Sequence, residues 1–219
     1  MTTVLERAAP YVSLREGEEA ASPLPLRTAF HLTGTPRLGY WDEQPEDRDT
    51  HNVLWTRVSQ SLGPDGWPVG APQGSMIHPL RQRDAMRNLR CQECREAART
   101  DEGLVFPVSK QHVAADASSA AIHTDQPPVC RQHAHAAARR SPELAEHGYV
   151  FVLAQRARMY GVIGTPYFEA ADGAFQAYEG VSTPIPYGHP ELRWVVASRL
   201  VRTLLSVSVI DLAEVASTP

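Results

Sequence analysis

Three cysteines and one histidine carry the readable chemistry of this 219-residue chain. Cys91-Gln92-Glu93-Cys94 sets two thiols at the spacing where a tight turn lets both sulfurs reach one ion at about 2.3 Å. After thirty-five intervening residues comes Cys130-Arg131-Gln132-His133, whose candidate ligands stand at i and i+3 and so share one face of a helix. Cys91, Cys94, Cys130 and His133 make a Cys3His set. Thiolate and imidazole donors in that number favour tetrahedral Zn2+, and a helix N-terminus freed by Pro127-Pro128 favours thiolate over thiol. Every cysteine of the chain is used, and an odd number of thiols cannot close into a disulfide framework. His135, five residues after Cys130, would be turned away by about 140° on a helix of 3.6 residues per turn. His133 is therefore the expected fourth ligand. His112, His123, His147 and His189 stand alone and read as surface or hydrogen-bonded histidines.

Rival chemistries for these groups fit less well. A redox Cys-x-x-Cys expects a preceding βαβ pattern and would leave His133 unused, and an iron–sulfur cluster usually takes four thiolates. Four protein ligands close a zinc shell, whereas catalytic zinc keeps a position for water. The expectation is one structural Zn2+ and no catalytic residue. Phosphate-cradling Gly loops, nucleophile elbows and His-Glu-x-x-His helices are absent from the sequence.

The elements that must position these ligands are legible in outline. Pro79 suits the first turn of a helix to about Leu89, with Leu80, Met86 and Leu89 as apolar members and Arg81, Arg83, Arg87 and Arg90 exposed. Gly103 to Val108 reads as a strand, with Ala120 to His123 as a weaker partner across a polar, alanine-rich hairpin loop. A helix from Cys130 to Arg139 follows, and Ser141-Pro142-Glu143 caps and restarts it before Gly148 closes the turn. Folded around one ion, the first helix and the second ligand helix would bring Arg81, Arg83, Arg87 and Arg90 beside Arg139 and Arg140. That basic face would suit nucleic acid or an acidic protein partner.

A knuckle, a hairpin and two ligands in the first turn of a helix resemble the treble-clef group of zinc fingers, over residues Cys91 to about Arg140. The longer pattern is similar to zinc-knuckle proteins of high-GC bacteria and their phages, for which no activity can be carried over. Treble clefs serve as nucleic-acid binders, protein-interaction modules and nuclease cores. The HNH nucleases built on this motif imply His112 as the water-activating histidine and His135 near the second ligand pair. Gln111 stands where that family expects an acidic residue, and its asparagine before the second cysteine pair has no counterpart. Zinc deaminases are a further comparison through Cys91-Gln92-Glu93, but Val129 interrupts their Pro-Cys step and Cys94 would close the site.

Composition sets the frame. Twenty-one basic against 25 acidic residues leave a net charge of -4, which argues against a binder of polyanions driven by bulk charge. The excess is local: residues 76–160 hold twelve basic against nine acidic groups. No run approaches the about 18 apolar residues of a membrane helix, and the start lacks the layout of a secretion signal. With so few cysteines, a reducing, cytoplasmic location is expected. Residues 1–36, rich in Ala, Pro, Glu and Ser, read as a flexible arm before one domain over 37–212. In the last third, Tyr149 to Leu153 reads as a strand and Asp172-Gly173 as a hairpin turn. Leu192, Val195, Val196, Leu200, Leu204 and Leu205 fall at helical spacing, so a core-facing amphipathic helix to Ser206 is expected, with Val207 to Leu212 as a closing strand. The fold expected is α+β, a single treble-clef-like zinc-stabilised domain with short β-hairpins and that C-terminal helix. The sequence does not set the oligomeric state.

Overall fold

Prolines cut the first third of the chain into pieces too short for helices, and β-branched residues crowd the last third. The computed structural model describes residues 9–22, 24–31, 33–115, 121–178 and 183–211. In chain order they form β1 (Ser13–Arg15), β2 (Leu26–Phe30), β3 (Pro36–Tyr40), β4 (Leu54–Trp55), β5 (Pro72–Ile77), α1 (Pro79–Asn88), β6 (Leu104–Ser109), α2 (Lys110–Ala115), β7 (Ala121–Thr124), α3 (Ala134–Arg140), α4 (Pro142–His147), β8 (Tyr149–Glu169), β9 (Phe175–Ala177), β10 (Ile185–Pro186) and β11 (Val195–Ile210). The class is α+β.

The spine is an antiparallel pair, β8 against β11, running from Val195 opposite Pro166 to Ile210 opposite Phe151 with register shifts between Ala197 and Arg199 and between Val201 and Arg202. On its far side β8 carries β6, β10 and β9 in turn, and β11 carries β7 antiparallel and β4 parallel, giving seven strands. The expected C-terminal helix is therefore corrected. Only a 3-10 turn at Pro190–Trp194 precedes β11. Seven of the sixteen residues in β11 are Val, Ile or Thr, which lose side-chain freedom in a helix and pack well on a pleated surface. Runs such as Val195-Val196-Ala197 and Leu200-Val201-Arg202 are buried consecutively. A strand covered on both faces shows such runs, and they mimic helical periodicity in a bare sequence.

The strands expected at Gly103–Val108 and Ala120–His123 exist as β6 and β7, but they do not form a hairpin. β6 pairs with β8 and β7 with β11, and α2 rather than polar loop follows β6. Residues 116–120 of the expected hairpin loop lie outside the described residues. At the other end of β8, the Asp172-Gly173 turn forms, pairing Tyr167 with Ala177 and Glu169 with Phe175. Gly173 takes φ +81° there, a region that favours glycine.

Helix α1 forms where expected and is fixed at both ends. The ring of His78 accepts the Leu80 N–H, Pro79 occupies the first turn, and Leu89 ends the helix in the left-handed region. Its inner face is polar as well as apolar. Gln82 donates to the carbonyls of Leu200 and Asp125 and accepts the Leu200 N–H. Arg202 of β11 donates to the carbonyls of Met86 and Arg87 at the C-terminal end of the helix, where a cation meets the negative end of the dipole. Met86 packs with Trp55, Val162 and Leu200.

From Ala9 onward the segment expected as a flexible arm is docked. β1 pairs with β5, Tyr11 and Val12 are buried, and Arg15 donates to the carbonyls of Ala9 and Pro10. Hydrogen bonds and one ion pair hold it, so counting its apolar residues understates its order. Residues 1–8, Pro23, Leu32 and the domain end at 212 lie outside the described residues.

Candidate metal centre

Cys91 and Cys94 sit on the turn that follows α1. Arg90 and Ala97 form a bridge, the Cys91 N–H donates to the Glu96 carbonyl and the Arg95 N–H returns to Cys91. Arg95 takes φ +65°, the left-handed residue that lets the chain fold back and aim both sulfurs inward. The second pair lies on a 3-10 turn, Arg131–His133, that leads into α3. An α-helix was expected from Cys130, but the tighter turn serves the same end, since residues i and i+3 eclipse on it.

The four ligand atoms lie within 4.8 Å of one another. Cys91 Sγ is 4.0 Å from His133 Nδ1, Cys94 Sγ is 4.0 Å from Cys130 Sγ, and Cys130 Sγ is 3.1 Å from His133 Nδ1. Tetrahedral bonds of about 2.3 Å to sulfur give ligand–ligand edges of about 3.8 Å. The donor set therefore fits one metal ion. Cys91 is buried and the other three partly so.

The thiols titrate as a group. Hydrogen bonds from Cys130 and Cys94 hold the Cys91 thiol well below its ordinary range. Cys130 is pushed far up by Cys91 and Cys94, because charge on one sulfur opposes charge on the next. A divalent cation at the centre removes that opposition and favours thiolate at all three.

The surroundings tie the centre to the rest of the chain. Tyr11 and Val12 donate backbone N–H groups to the carbonyls of Glu93 and Gln92, and the Gln92 N–H donates to Pro128. Arg140 of α3 pairs with the buried Glu93. Burial is the main influence on the Glu93 carboxyl and pushes it up, with Arg140 opposing. Gln92, Glu93 and Arg140 also wall a cavity of about 620 Å³.

The six expected contact arginines differ in exposure. Arg81 is 1% exposed, its guanidinium bonded to both oxygens of Glu18 and to the Ser13 carbonyl. Arg83 lies over the Trp55 ring at 4.7 Å. Arg81 is corrected from an exposed contact to a buried residue and Arg83 is partly buried, because each side chain finds a partner that only the fold brings near. Arg87 and Arg139 are exposed, Arg90 is partly exposed 3.9 Å from Asp84, and Arg140 is held by Glu93. His135 lies edge-on to Phe151, ring centroids 5.1 Å apart, and is not among the clustered groups. The side chain of His112, on which the nuclease comparison turns, lies outside the described residues. Sequence reasoning missed Glu18. No local motif marks it, since its partner Arg81 is 63 positions away.

No helix among the described residues is long and apolar enough to cross a membrane. Compared with protein families, curated proteins and solved structures, the chain matches none.

Proposed function

We propose that the chain is a zinc-binding protein of regulatory or adaptor type, without catalysis at the metal, working in the reducing environment of the cytoplasm. Cys91, Cys94, Cys130 and His133 hold a structural Zn2+. The observation that carries this reading is the closure of the set. Three sulfurs and one imidazole nitrogen lie within 4.8 Å of one another, and four protein ligands complete a tetrahedral zinc shell without water. When bound, zinc supplies binding free energy of about 10–16 kcal/mol at neutral pH, comparable to the stability of a whole domain. The chain's own part is to aim the ligands, through the Arg95 turn and the 3-10 turn, and to clamp the knuckle with Arg140 and the Tyr11–Val12 strand.

The partner surface is the remainder of the basic segment that stays exposed or partly exposed, Arg87, Arg90 and Arg139, which flank the ligand pairs in sequence. It suits nucleic acid or an acidic protein partner. Elemental analysis of purified protein tests the metal: one zinc per chain is expected, and none for Cys94→Ser. Titration with DNA and RNA at two salt concentrations tests the partner. Binding that weakens with salt and with Arg87→Gln/Arg90→Gln supports nucleic acid, and no binding removes that half of the reading.

A further inference from the structure

A second site stands apart from the metal, where the β2–β3 turn, the loop before β4 and the turn before β11 meet around a cleft of about 330 Å³. Arg37, Arg193, His31, His51 and His189 line it, and no Asp or Glu does so among the described residues. Two carboxylates stand behind the lining residues, Glu43 and Glu191. Glu43 accepts from Arg48 through both oxygens, at 2.7 and 2.9 Å, and stands 3.7 Å from Arg37, whose guanidinium also donates to the neutral Asn52 side-chain oxygen at the cleft. Two guanidiniums thus share one acid. The exposed Arg193 side chain has no ion pair or hydrogen bond among the described residues. Glu191 lies 3.8 Å from His189.

The imidazoles are set as donors. His31 Nδ1 accepts the Thr33 N–H, and His189 Nδ1 accepts the Glu191 N–H. In the neutral ring the proton then sits on Nε2, so each offers an N–H donor whether or not it is charged. His51 is held by stacking on Tyr187, ring centroids 3.8 Å apart. Asp49 fixes the loop before β4 by accepting the N–H groups of His51 and Val53. The Arg37 guanidinium is lowered from its usual range, first by burial and then by Arg48. An arriving anion would offset the repulsion from Arg48.

We infer that this cleft is an anion site that takes a phosphate group, held by the guanidiniums of Arg37 and Arg193 with the imidazoles of His31, His51 and His189 around it. Phosphate is favoured over carboxylate by the number of donors. One guanidinium satisfies both oxygens of a carboxylate, whereas two guanidiniums and several N–H groups match a tetrahedral oxyanion of higher charge. The cleft also has room for a group attached to the phosphate.

Calorimetric titration of the full chain, in a buffer without phosphate, tests this with inorganic phosphate, pyrophosphate, a short single-stranded oligonucleotide and acetate. At least one phosphate probe should bind, at least tenfold more tightly than acetate. The exposed Arg193→Gln substitution should weaken that binding tenfold or more while leaving the melting temperature unchanged, and His31→Asn should weaken it as well. Binding of the oligonucleotide alone assigns the site to a phosphodiester backbone, and binding of the small ions assigns it to free phosphate. No binding of any phosphate probe, acetate binding as tightly, or binding indifferent to Arg193→Gln overturns the site. Arg87→Gln/Arg90→Gln should leave it intact, so failure here is separable from failure of the zinc reading.

Discussion

At the scale of residues, buried charge is tolerated where it is paired, and Glu18 with Arg81 is the clearest case. Burial is the largest influence on Glu18 and pushes its carboxyl up, but the Arg81 hydrogen bonds and the N–H groups of Ser61 and Arg15 outweigh it and hold the pKa at about 2. Replacing one member leaves the other charged and unmatched. Glu18→Gln should cost about 3 kcal/mol in a denaturant melt, and the double exchange Glu18→Leu/Arg81→Met should recover much of it. A cost equal in both variants would show that the charges are not coupled. Acid should act in two stages. His78 is lowered from its ordinary 6.5, chiefly by burial, so folding excludes a proton that the unfolded chain binds, and stability falls as pH drops below about 6.5. Glu18 adds its stability fully above pH 4.5, and that share disappears as pH falls from 4.5 toward 2. Denaturation midpoints measured across pH 3–8 should lose the first stage in His78→Gln.

At the scale of elements, the crossing of β8 with its neighbours is set by glycine. A Cβ on Gly161 would stand 1.9 Å from the Ile185 carbonyl oxygen, and one on Gly164 would stand 2.4 Å from that of Val196. Gly161→Ala must push β10 away from β8 and should cost at least about 1–3 kcal/mol. Gly173→Asn, at a turn with open space and φ +81°, should be nearly neutral because Asn tolerates that region. Thermal melts of the two variants separate close approach from backbone conformation. Equal melting temperatures would contradict the steric account. At the C-terminal end of α1, Arg202 donates to Met86, Ala157 and Arg87, although burial lowers its pKa to about 10. Arg202→Met would leave those carbonyls without their charged donor. It should destabilise by about 1.5–3 kcal/mol per lost charged bond at most, read as a lower denaturant midpoint.

For the whole molecule, the two largest of four buried clusters lie on the sheet. One gathers around Cys91, Phe106, Ala134, Val152 and Leu204, the other around Trp55, Met86, Val162 and Leu200. Because the metal ligands lie in or against the first, chelation should lower the melting temperature and raise hydrogen exchange first at Tyr11, Val12 and residues 91–98. Amides near Val162 and Leu200 should stay protected longer. Uniform exchange on chelation would mean that the clusters melt as one.

Local patterns settled part of this protein before any fold was known. The spacing of Cys91, Cys94, Cys130 and His133 depends on turn geometry within a few residues, as do the start of α1 at Pro79 and the turn at Gly173, so each was legible directly. The strand β11 was not. Consecutive buried residues read as a helix until β8 and its neighbours supply the covering surfaces. Nor could the sequence foresee that Arg81 would turn inward to Glu18, that β6 and β7 would choose different partners, or that His31, Arg37, His51 and Arg193 would share a cleft. Those outcomes depend on contacts between distant positions, and a side chain's partner, burial and charge balance are set only when tertiary packing brings such positions together.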